Sequence, residues 1–266
     1  MTPPELRSED LSLGYGERRV VDSLTTVLPT GKITVIVGPN ACGKSTYLRG
    51  LARLLHPLSG AALLDSTPIH TMPGKEVAKL LGILPQGPAA PEGITVADLV
   101  GRGRHPHQGW LHRWTAQDDE AVAAALVATG TLDLADRVVD ELSGGQRQRV
   151  WIAMALTQRT PVLLLDEPTT YLDVTHQVEV LDLLVDLNEA EGATVALVLH
   201  DLNLAARYAD HLLVLRAGRI VVEGAPNDVL TEEVVREVFE MDCRIVQDPV
   251  SHTPLVVPVG RHRVVS

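Results

Sequence analysis

The sequence predicts an α/β fold in which a parallel sheet is flanked by helices. Three short apolar runs, at residues 33–37, 162–165 and 195–199, lack polar alternation, which is typical of strands buried on both faces. Helical patterns at about 44–55 and 174–191 alternate with these runs. Strands that alternate with helices indicate βαβ units, whose crossover connections make the sheet parallel.

Two regions interrupt this alternation. The N-terminal stretch 5–27 has strand-like segments on either side of a Gly-Tyr-Gly turn and predicts an antiparallel β flap. The stretch 87–159 has helical patterns and no clear strand, so we expect a helical sub-domain inserted between two core strands. The 266 residues then form a single domain, whose core comprises about 1–86 and 160–266.

The pattern changes again in the C-terminal part of the chain. The turn residues at 216–218 and the strand-like run 219–222 predict a hairpin. A helix near 232–240 follows, and the remaining tail is interrupted by prolines. We find no internal repeat or low-complexity segment that would indicate another architecture.

The composition limits the partners and the compartment. Lys and Arg number 23 and Asp and Glu 34, a net charge of −11, which argues against a nucleic-acid partner because phosphate contacts need clustered cations. The 2 cysteines provide no disulfide framework and favour a reducing cytosol. No apolar run approaches the ~20 residues of a spanning helix, and the N-terminus is not a secretory signal. We therefore expect a soluble chain that reaches any membrane through partners.

The segment 38–46 fits the spacing of a phosphate-binding loop between a strand and a helix. Its glycines let the backbone curl around the α- and β-phosphates, while Lys44 reaches the β- and γ-phosphates and Ser45 offers its hydroxyl to Mg²⁺. This context favours a P-loop NTPase with a RecA-like core over a chance glycine turn. We interpret Cys42 as a small loop residue rather than a nucleophile. The predicted nucleotide-binding residues of the loop are Gly38, Pro39, Asn40, Ala41, Cys42, Gly43, Lys44, Ser45 and Thr46.

Polar residues follow the other core strands, at the sheet edge where open α/β folds bind ligands. Asp166 is expected to hold Mg²⁺ and Glu167 to deprotonate the attacking water, the alternative being a solvated acidic turn. His200 is expected to contact the γ-phosphate or the attacking water, although a lone histidine is more often structural. Gln86, after a fourth candidate strand, is a candidate ligand for Mg²⁺ or water, or else a surface glutamine.

A second candidate phosphate site lies at residues 142–146, Leu-Ser-Gly-Gly-Gln. Adjacent glycines at the start of a helix let backbone N–H groups point at an anion. No Lys-Ser pair accompanies them, so we expect this half-site to close over a nucleotide held by a different chain. An ordinary loop-to-helix entry is the alternative. The predicted contacts are Ser143, Gly144, Gly145 and Gln146.

Two further features carry weaker signals. The ring of Tyr15 in the flap could stack on adenine or pack on the core, and the residues alone leave both interpretations open. A locally basic stretch could supply histidine ligands to a metal, but it lacks Cys or carboxylate partners, so a solvated or partner-facing surface is favoured. The residues of this stretch are Arg102, Arg104, His105, His107, His112 and Arg113.

Together these residues resemble the ATP-binding subunit of ABC transporters. The resemblance extends from about residue 6 to residue 259 and is specific because the segment 142–146 precedes Asp166-Glu167 by about twenty residues. It implies that Ser143 and Gly145 contact the γ-phosphate of an ATP held by the opposite subunit. It also implies that Gln86 is the Q-loop glutamine, Leu172-Asp173 the D-loop, His200 the switch histidine and Tyr15 the adenine-stacking aromatic.

A finer resemblance is to importers of ferric siderophores, with importers of haem and cobalamin as the alternatives. It is carried by the segments 101–110, 168–173 and 176–177. Ala41 departs from the glycine common at its loop position, and we expect nucleotide binding to survive this change. Tyr171 replaces the small residue found in many other ABC subfamilies and fits the siderophore group.

The resemblance implies a transport-coupled ATPase that uses ATP and Mg²⁺, with Lys44, Glu167 and His200 as the catalytic residues. The implied partners are a second copy in an ATP-sandwiched dimer, two membrane-spanning permease subunits and, through the complex, an extracytoplasmic substrate-binding protein, with no nucleic acid. The implied location is peripheral, on the cytoplasmic face of the inner membrane. A soluble ABC ATPase acting on nucleic acid or ribosomes is one alternative, and a non-catalytic interaction module is another, although the complete catalytic set argues against it.

Overall fold

The computed structural model describes residues 3–108 and 114–262. The strands are β1 Leu6–Tyr15, β2 Arg18–Leu28, β3 Ile33–Val37, β4 Ser59–Leu64, β5 Thr67–Pro68, β6 Leu81–Leu84, β7 Val162–Asp166, β8 Thr194–Val198, β9 His211–Arg216, β10 Arg219–Gly224, β11 Cys243–Gln247 and β12 Pro254–Pro258. The helices are α1 Lys44–Leu51, α2 Gly74–Leu80, α3 Val96–Gly101, α4 Ala116–Ala128, α5 Gly144–Thr157, α6 Val174–Glu191, α7 Leu202–Tyr208, α8 Pro226–Val229 and α9 Glu232–Phe239. Short 3₁₀ helices cover Arg102–His107, Leu132–Leu134 and Val139–Glu141.

The core sheet confirms the predicted α/β fold. Its strand order is β10-β9-β3-β8-β7-β6, and all neighbours from β9 to β6 pair in parallel. The strands β3, β7 and β8 are buried along their whole length, as their unbroken apolar sequences predict. Because parallel strands end at the same edge, the residues that follow β3, β6, β7 and β8 are brought together there.

The predicted β flap is a four-stranded sheet in the order β2-β1-β4-β5. The sequence indicated β1 and β2 but gave no signal for β4, which pairs antiparallel with β1. Tyr47 of α1 is fully buried between this sheet and the core, and its hydroxyl lies 3.1 Å from Ser8 Oγ. Burial raises the pKa of Tyr47. The P-loop helix is thereby anchored to the flap.

The stretch 87–159 is helical among its described residues, and α3, α4 and α5 pack together there. The prediction of a solvated or partner-facing surface for the basic stretch is wrong for Arg104. Its side chain is buried, with Nε 2.9 Å from Asp118 Oδ1, and it donates a second hydrogen bond to the carbonyl of Thr157. The Arg104 guanidinium lowers the pKa of Asp118. Arg104 therefore ties α4 to α5, because a buried cation needs a paired anion and satisfied donors.

Other parts of the basic stretch behave differently. Arg102 and His105 are exposed, and the ring of His107 is within hydrogen-bonding distance of the Gln158 carbonyl, 2.6 Å away. His112 and Arg113, and with them part of the segment 101–110, lie outside the described residues. Within 3–108 and 114–262, no three potential metal-ligating side chains lie close together.

The C-terminal part contains the predicted hairpin, formed by β9 and β10, and the predicted helix α9. The proline-containing tail was not expected to form a sheet, but β11 and β12 pair as a second hairpin. Pro254 and Pro258 lie at the two ends of β12 in a two-stranded ribbon, where a missing N–H donor is tolerated. No helix in the described part of the chain is long and apolar enough to cross a membrane.

Candidate nucleotide-binding and hydrolysis site

The P-loop connects β3 to α1 at the edge of the core sheet. Gly38 adopts φ 154°, and a Cβ at this position would collide with the carbonyl oxygen of Leu215, so the close approach requires glycine. The ammonium of Lys44 is buried and donates to the carbonyl oxygens of Gly38 and Pro39, at 2.8 and 3.0 Å. The loop therefore folds around its own lysine and holds that charge beside the N-terminus of α1.

Burial raises the pKa of the Cys42 thiol, so this side chain stays protonated at neutral pH. The thiolate is the nucleophilic form of cysteine, and a buried neutral thiol lacks that reactivity. The environment of Cys42 therefore supports its interpretation as a small loop residue.

Ala41 occupies the left-handed region, with φ 60°, which explains why glycine suits this position. We expect Ala41→Gly to raise the free energy of unfolding by about 0.5–1 kcal/mol, because the left-handed penalty of alanine exceeds the entropic cost of glycine. Chemical denaturation measures the change. Ala89→Gly, at an exposed loop position without positive φ, is the control and is expected to be neutral or slightly destabilising. Equal effects of the two substitutions would contradict a specific strain at Ala41.

Asp166 and Ser45 form a pair of oxygen donors beneath the loop. Ser45 Oγ donates to Asp166 Oδ1 at 2.8 Å. Burial raises the pKa of the Asp166 carboxyl, and the Ser45 hydrogen bond opposes that rise. Asp166 Oδ2 is buried without a hydrogen-bond partner in the described part of the chain. A buried carboxylate oxygen beside a hydroxyl is a donor set that fits Mg²⁺, a cation that prefers oxygen ligands.

Glu167 lies at the centre of a cluster contributed by several strand ends. Its Oε1 is 2.7 Å from His200 Nε2, and its Oε2 accepts hydrogen bonds from Gln86 Nε2 at 2.8 Å and from Thr170 Oγ1 at 3.2 Å. Glu167 itself adopts φ 55°, an uncommon conformation for a non-glycine residue. The structure thus brings together the polar residues that the sequence placed after β6, β7 and β8.

A cavity of about 530 Å³ opens over this cluster. The P-loop residues 40–46 line it together with Tyr15, Gln86, Glu167 and His200. The side chain of Tyr15 is 48% exposed, which disfavours the core-packing alternative, and its hydroxyl accepts a hydrogen bond from Arg49. The walls of the cavity therefore combine a phosphate loop, a carboxylate that could act as a base and an accessible aromatic ring.

The half-site at 142–146 lies apart from this cavity. Ser143 caps α5: its Oγ accepts from the Gln146 N–H at 3.2 Å, while Gln146 Oε1 accepts from the Ser143 N–H at 3.1 Å. Ser143 and Gly144 are exposed, and none of the residues 143–146 lines the cavity. A half-site of exposed N–H groups at a helix start can bind an anion only if that anion approaches from outside.

The D-loop candidate Asp173 is likewise not among the residues that line the cavity. It caps α6 by accepting a hydrogen bond from the His176 N–H at 3.0 Å, and that bond is the main cause of the lowered pKa of its carboxyl. The preceding Tyr171 is 79% exposed with φ 68°, and a Cβ added to Gly144 would lie 3.5 Å from its Cβ. Gly144 of the half-site thus lies beside the exposed Tyr171, two residues before the D-loop candidate Asp173.

Several neighbours of the site were not singled out from the sequence. Arg18 and Val20 line the cavity on the flap side. Gln148 on α5 donates a hydrogen bond from Nε2 to the carbonyl of Pro168 at 2.9 Å, next to Glu167. The sequence could have indicated Arg18 as a cavity residue, because it closely follows the glycine-flanked Tyr15. Gln148 contacts a backbone carbonyl, and such a contact leaves no sequence pattern.

A P-loop beneath an open cavity, with a carboxylate and a histidine in contact at the neighbouring strand ends, defines a nucleoside-triphosphate hydrolase of the P-loop class. Comparison with known proteins narrows this class. The model of the family "ABC transporter" matches residues 21–170. The chain therefore belongs to the ATP-binding proteins of ABC transporters, and it is an ABC-type ATPase.

The relatives and a structural neighbour agree with this membership. A probable siderophore transport system ATP-binding protein of Bacillus subtilis, YusV, is 57% identical over 97% of this chain and 94% of its own length. The ferric enterobactin transport ATP-binding protein FepC of Escherichia coli is 53% identical over 96% and 94%. A dimeric bacterial ABC transporter cassette, MJ0796, superposes with a TM-score of 0.75 at 26% identity, over 83% of this chain and 98% of that one. A cobalamin import ATP-binding protein of Halobacterium salinarum is 39% identical, over 91% of this chain and 60% of that relative.

Proposed function

We propose that this chain hydrolyses ATP to energise the uptake of a ferric siderophore or a related iron chelate. The cluster of Lys44, Glu167 and His200 around one cavity is the observation that supports hydrolysis. The cargo rests on similarity, because the two siderophore-transport relatives described above are 57% and 53% identical to the chain and the cobalamin-import relative is 39% identical.

In the proposed reaction, adenine stacks on Tyr15 and the phosphates lie along residues 38–46. Lys44 exchanges its hydrogen bonds to the Gly38 and Pro39 carbonyls for bonds to the β- and γ-phosphates. Glu167 takes a proton from the attacking water, whose oxygen bonds to the γ-phosphorus as the bond to the β–γ bridging oxygen breaks. His200 holds the carboxylate of Glu167 in position and faces the γ-phosphate.

Mg²⁺ is the cofactor of the proposed reaction. Ser45 and Asp166 would hold the cation, and Gln86 completes the candidate ligand set on the side of Glu167. When bound, Mg²⁺ neutralises part of the charge on the β- and γ-phosphates. The buried, unpartnered Asp166 Oδ2 within the described residues supports this assignment.

The proposed active form is a dimer of two copies, each holding one ATP between its own Lys44 and the other copy's half-site. Ser143, Gly144, Gly145 and Gln146 would cap the γ-phosphate of the partner's nucleotide, and Asp173 would lie at the same interface. Their exposure outside this chain's own cavity supports the arrangement. A single helix terminus contributes only about 0.3–2 kcal/mol, so we expect the dimer to depend on ATP.

The partners outside the dimer are two membrane-spanning permease subunits, and the substrate-binding protein acts through the complex. The chain would then lie peripherally on the cytoplasmic face of the inner membrane.

We retain the division into a core of 1–86 and 160–266 and a helical sub-domain of 87–159. The contacts of α3, α4 and α5 with one another support that division, and the sub-domain together with Gln86 would transmit closure to the permease.

The cargo assignment is tested by reconstituting the chain with its permease and substrate-binding protein. We expect phosphate release to be stimulated by binding protein loaded with a ferric siderophore, because cargo recognition resides in the partners and is transmitted to the ATPase. The matched controls are the same binding protein without ligand or with iron-free siderophore. Equal stimulation by haem or cobalamin would overturn the iron-chelate assignment while leaving the ATPase assignment intact.

A further inference from the structure

The side chain of Asn203 hydrogen-bonds the first turn of α7 to the C-terminal hairpin, which also packs against this helix. Asn203 Oδ1 accepts a hydrogen bond from the Val256 N–H at 2.7 Å, and Asn203 Nδ2 donates to the Val256 carbonyl at 3.3 Å. The side-chain amide therefore pairs with both backbone groups of one residue in β12. Val256 is buried and Asn203 is half-buried, so these bonds are partly shielded from water and their loss is expected to cost stability.

Asn203 is also part of the first turn of α7, which follows His200 directly. Asp201 caps this turn by accepting hydrogen bonds from the N–H groups of Asn203 and Leu204, at 2.8 and 3.0 Å. The far end of α7 is fixed separately, because Tyr208 Oη donates to Asp182 Oδ1 on α6 at 2.8 Å. The Asp201 cap and the hairpin thus help to hold the first turn in place, together with the packing of α7 on the core.

His200 needs such external positioning. Its side chain is 47% exposed, so packing restrains the ring weakly, yet its Nε2 lies 2.7 Å from Glu167 Oε1. The backbone at the end of β8 and the start of α7 must hold the ring at that distance. A shift of about 1 Å in a positioned reacting group reduces a rate by up to about 100-fold.

We infer that Asn203 is a positioning residue for ATP hydrolysis: by clamping β12 to the first turn of α7, it keeps the His200 imidazole against the Glu167 carboxylate. This inference rests on the roles of His200 and Glu167 in the proposed function. The C-terminal hairpin then contributes to the geometry of the hydrolytic site, although it begins more than forty residues after His200 in the sequence.

The test uses the full-length chain with Asn203→Ala, which removes both bonds, and Asn203→Asp, which keeps the acceptor for the Val256 N–H. We expect kcat to fall about tenfold in Asn203→Ala and by less in Asn203→Asp, with KM and the Kd of a fluorescent ATP analogue unchanged. The ¹⁵N chemical shifts of the His200 ring are expected to change in parallel. Ser251→Ala is the control, because it removes the contact between Ser251 and Thr253 in the hairpin turn without touching α7.

Either of two results would overturn the inference. One is a kcat of Asn203→Ala within about twofold of wild type. The other is a fall in kcat and nucleotide affinity together, with unchanged His200 shifts, which would mark Asn203 as purely structural. If Asn203→Ala does not fold, Asn203→Asp decides by the ¹⁵N shifts of the His200 ring, and shifts identical to those of wild type would overturn the inference. A different variant tests the proposed function on which this inference rests. Full ATPase activity of His200→Ala would show that His200 has no role in hydrolysis, whatever the result for Asn203.

Discussion

Replacing Glu167 by glutamine is expected to lower the rate of ATP hydrolysis by about 10³-fold, within the 10²–10⁴-fold range of a positioned general base. The amide matches the carboxylate in shape but cannot take a proton from water. The neighbouring side chains of His200, Gln86 and Thr170 stay in place around residue 167, so the cavity and the P-loop are preserved. Binding of ATP should therefore remain at the wild-type level. Phosphate release under saturating MgATP and the affinity for a fluorescent ATP analogue together measure the two effects.

Glu189→Gln is the matched control, because Glu189 is an exposed residue of α6 and the change in charge is the same. It should hydrolyse ATP at the wild-type rate. With hydrolysis blocked, Glu167→Gln should also accumulate the ATP-bound dimer in MgATP, which light scattering detects. A Glu167→Gln chain that still releases phosphate at more than about a tenth of the wild-type rate would exclude the role of general base.

The central strands of the core sheet could be predicted from the sequence, because burial on both faces requires a continuous apolar run. The runs that became β3, β7 and β8 are apolar throughout, and the residues that follow them had to meet at one edge. The strand β4 begins with small residues, Ser59-Gly60-Ala61-Ala62, whose pairing with β1 is a tertiary effect without local propensity. The hairpin of β11 and β12 was not predicted, because prolines are unfavourable within strands and those at the two ends of β12 argued against a strand there.

The identity of the site residues was readable from sequence, whereas their mutual contacts were not. Spacing placed Gln86, Glu167 and His200 at strand ends, but only the structure shows that all three meet at one carboxylate. The positive φ of Glu167 leaves no sequence signal at all, because glutamate has no preference for that conformation. The sequence was misleading for Arg104, because a cation in a basic stretch is expected to be exposed. Its burial follows from the ion pair with Asp118, which only the structure shows.

Replacing Ser143 by arginine is expected to reduce hydrolysis by about 10²-fold while leaving ATP binding by the isolated chain unchanged. Ser143 is exposed, caps α5 and lies outside the cavity of its own chain, so its loss cannot disturb the P-loop directly. In the proposed dimer it caps the γ-phosphate of the other copy's ATP, and the larger side chain would block that approach. Lys44→Ala should behave in the opposite way and lose ATP binding first, because its ammonium belongs to the loop.

Ser66→Arg is the control for the added charge and bulk, since Ser66 is exposed on the flap away from the cavity. The most discriminating measurement mixes the two inactive chains, Lys44→Ala and Ser143→Arg. Half of the randomly formed dimers would be mixed, and each of these has one site with an intact Lys44 and an intact Ser143, so hydrolysis should return to roughly a quarter of wild type. If Ser143→Arg alone abolished ATP binding by the isolated chain, the half-site would belong to the chain's own nucleotide, and the proposed exchange between two copies would be wrong.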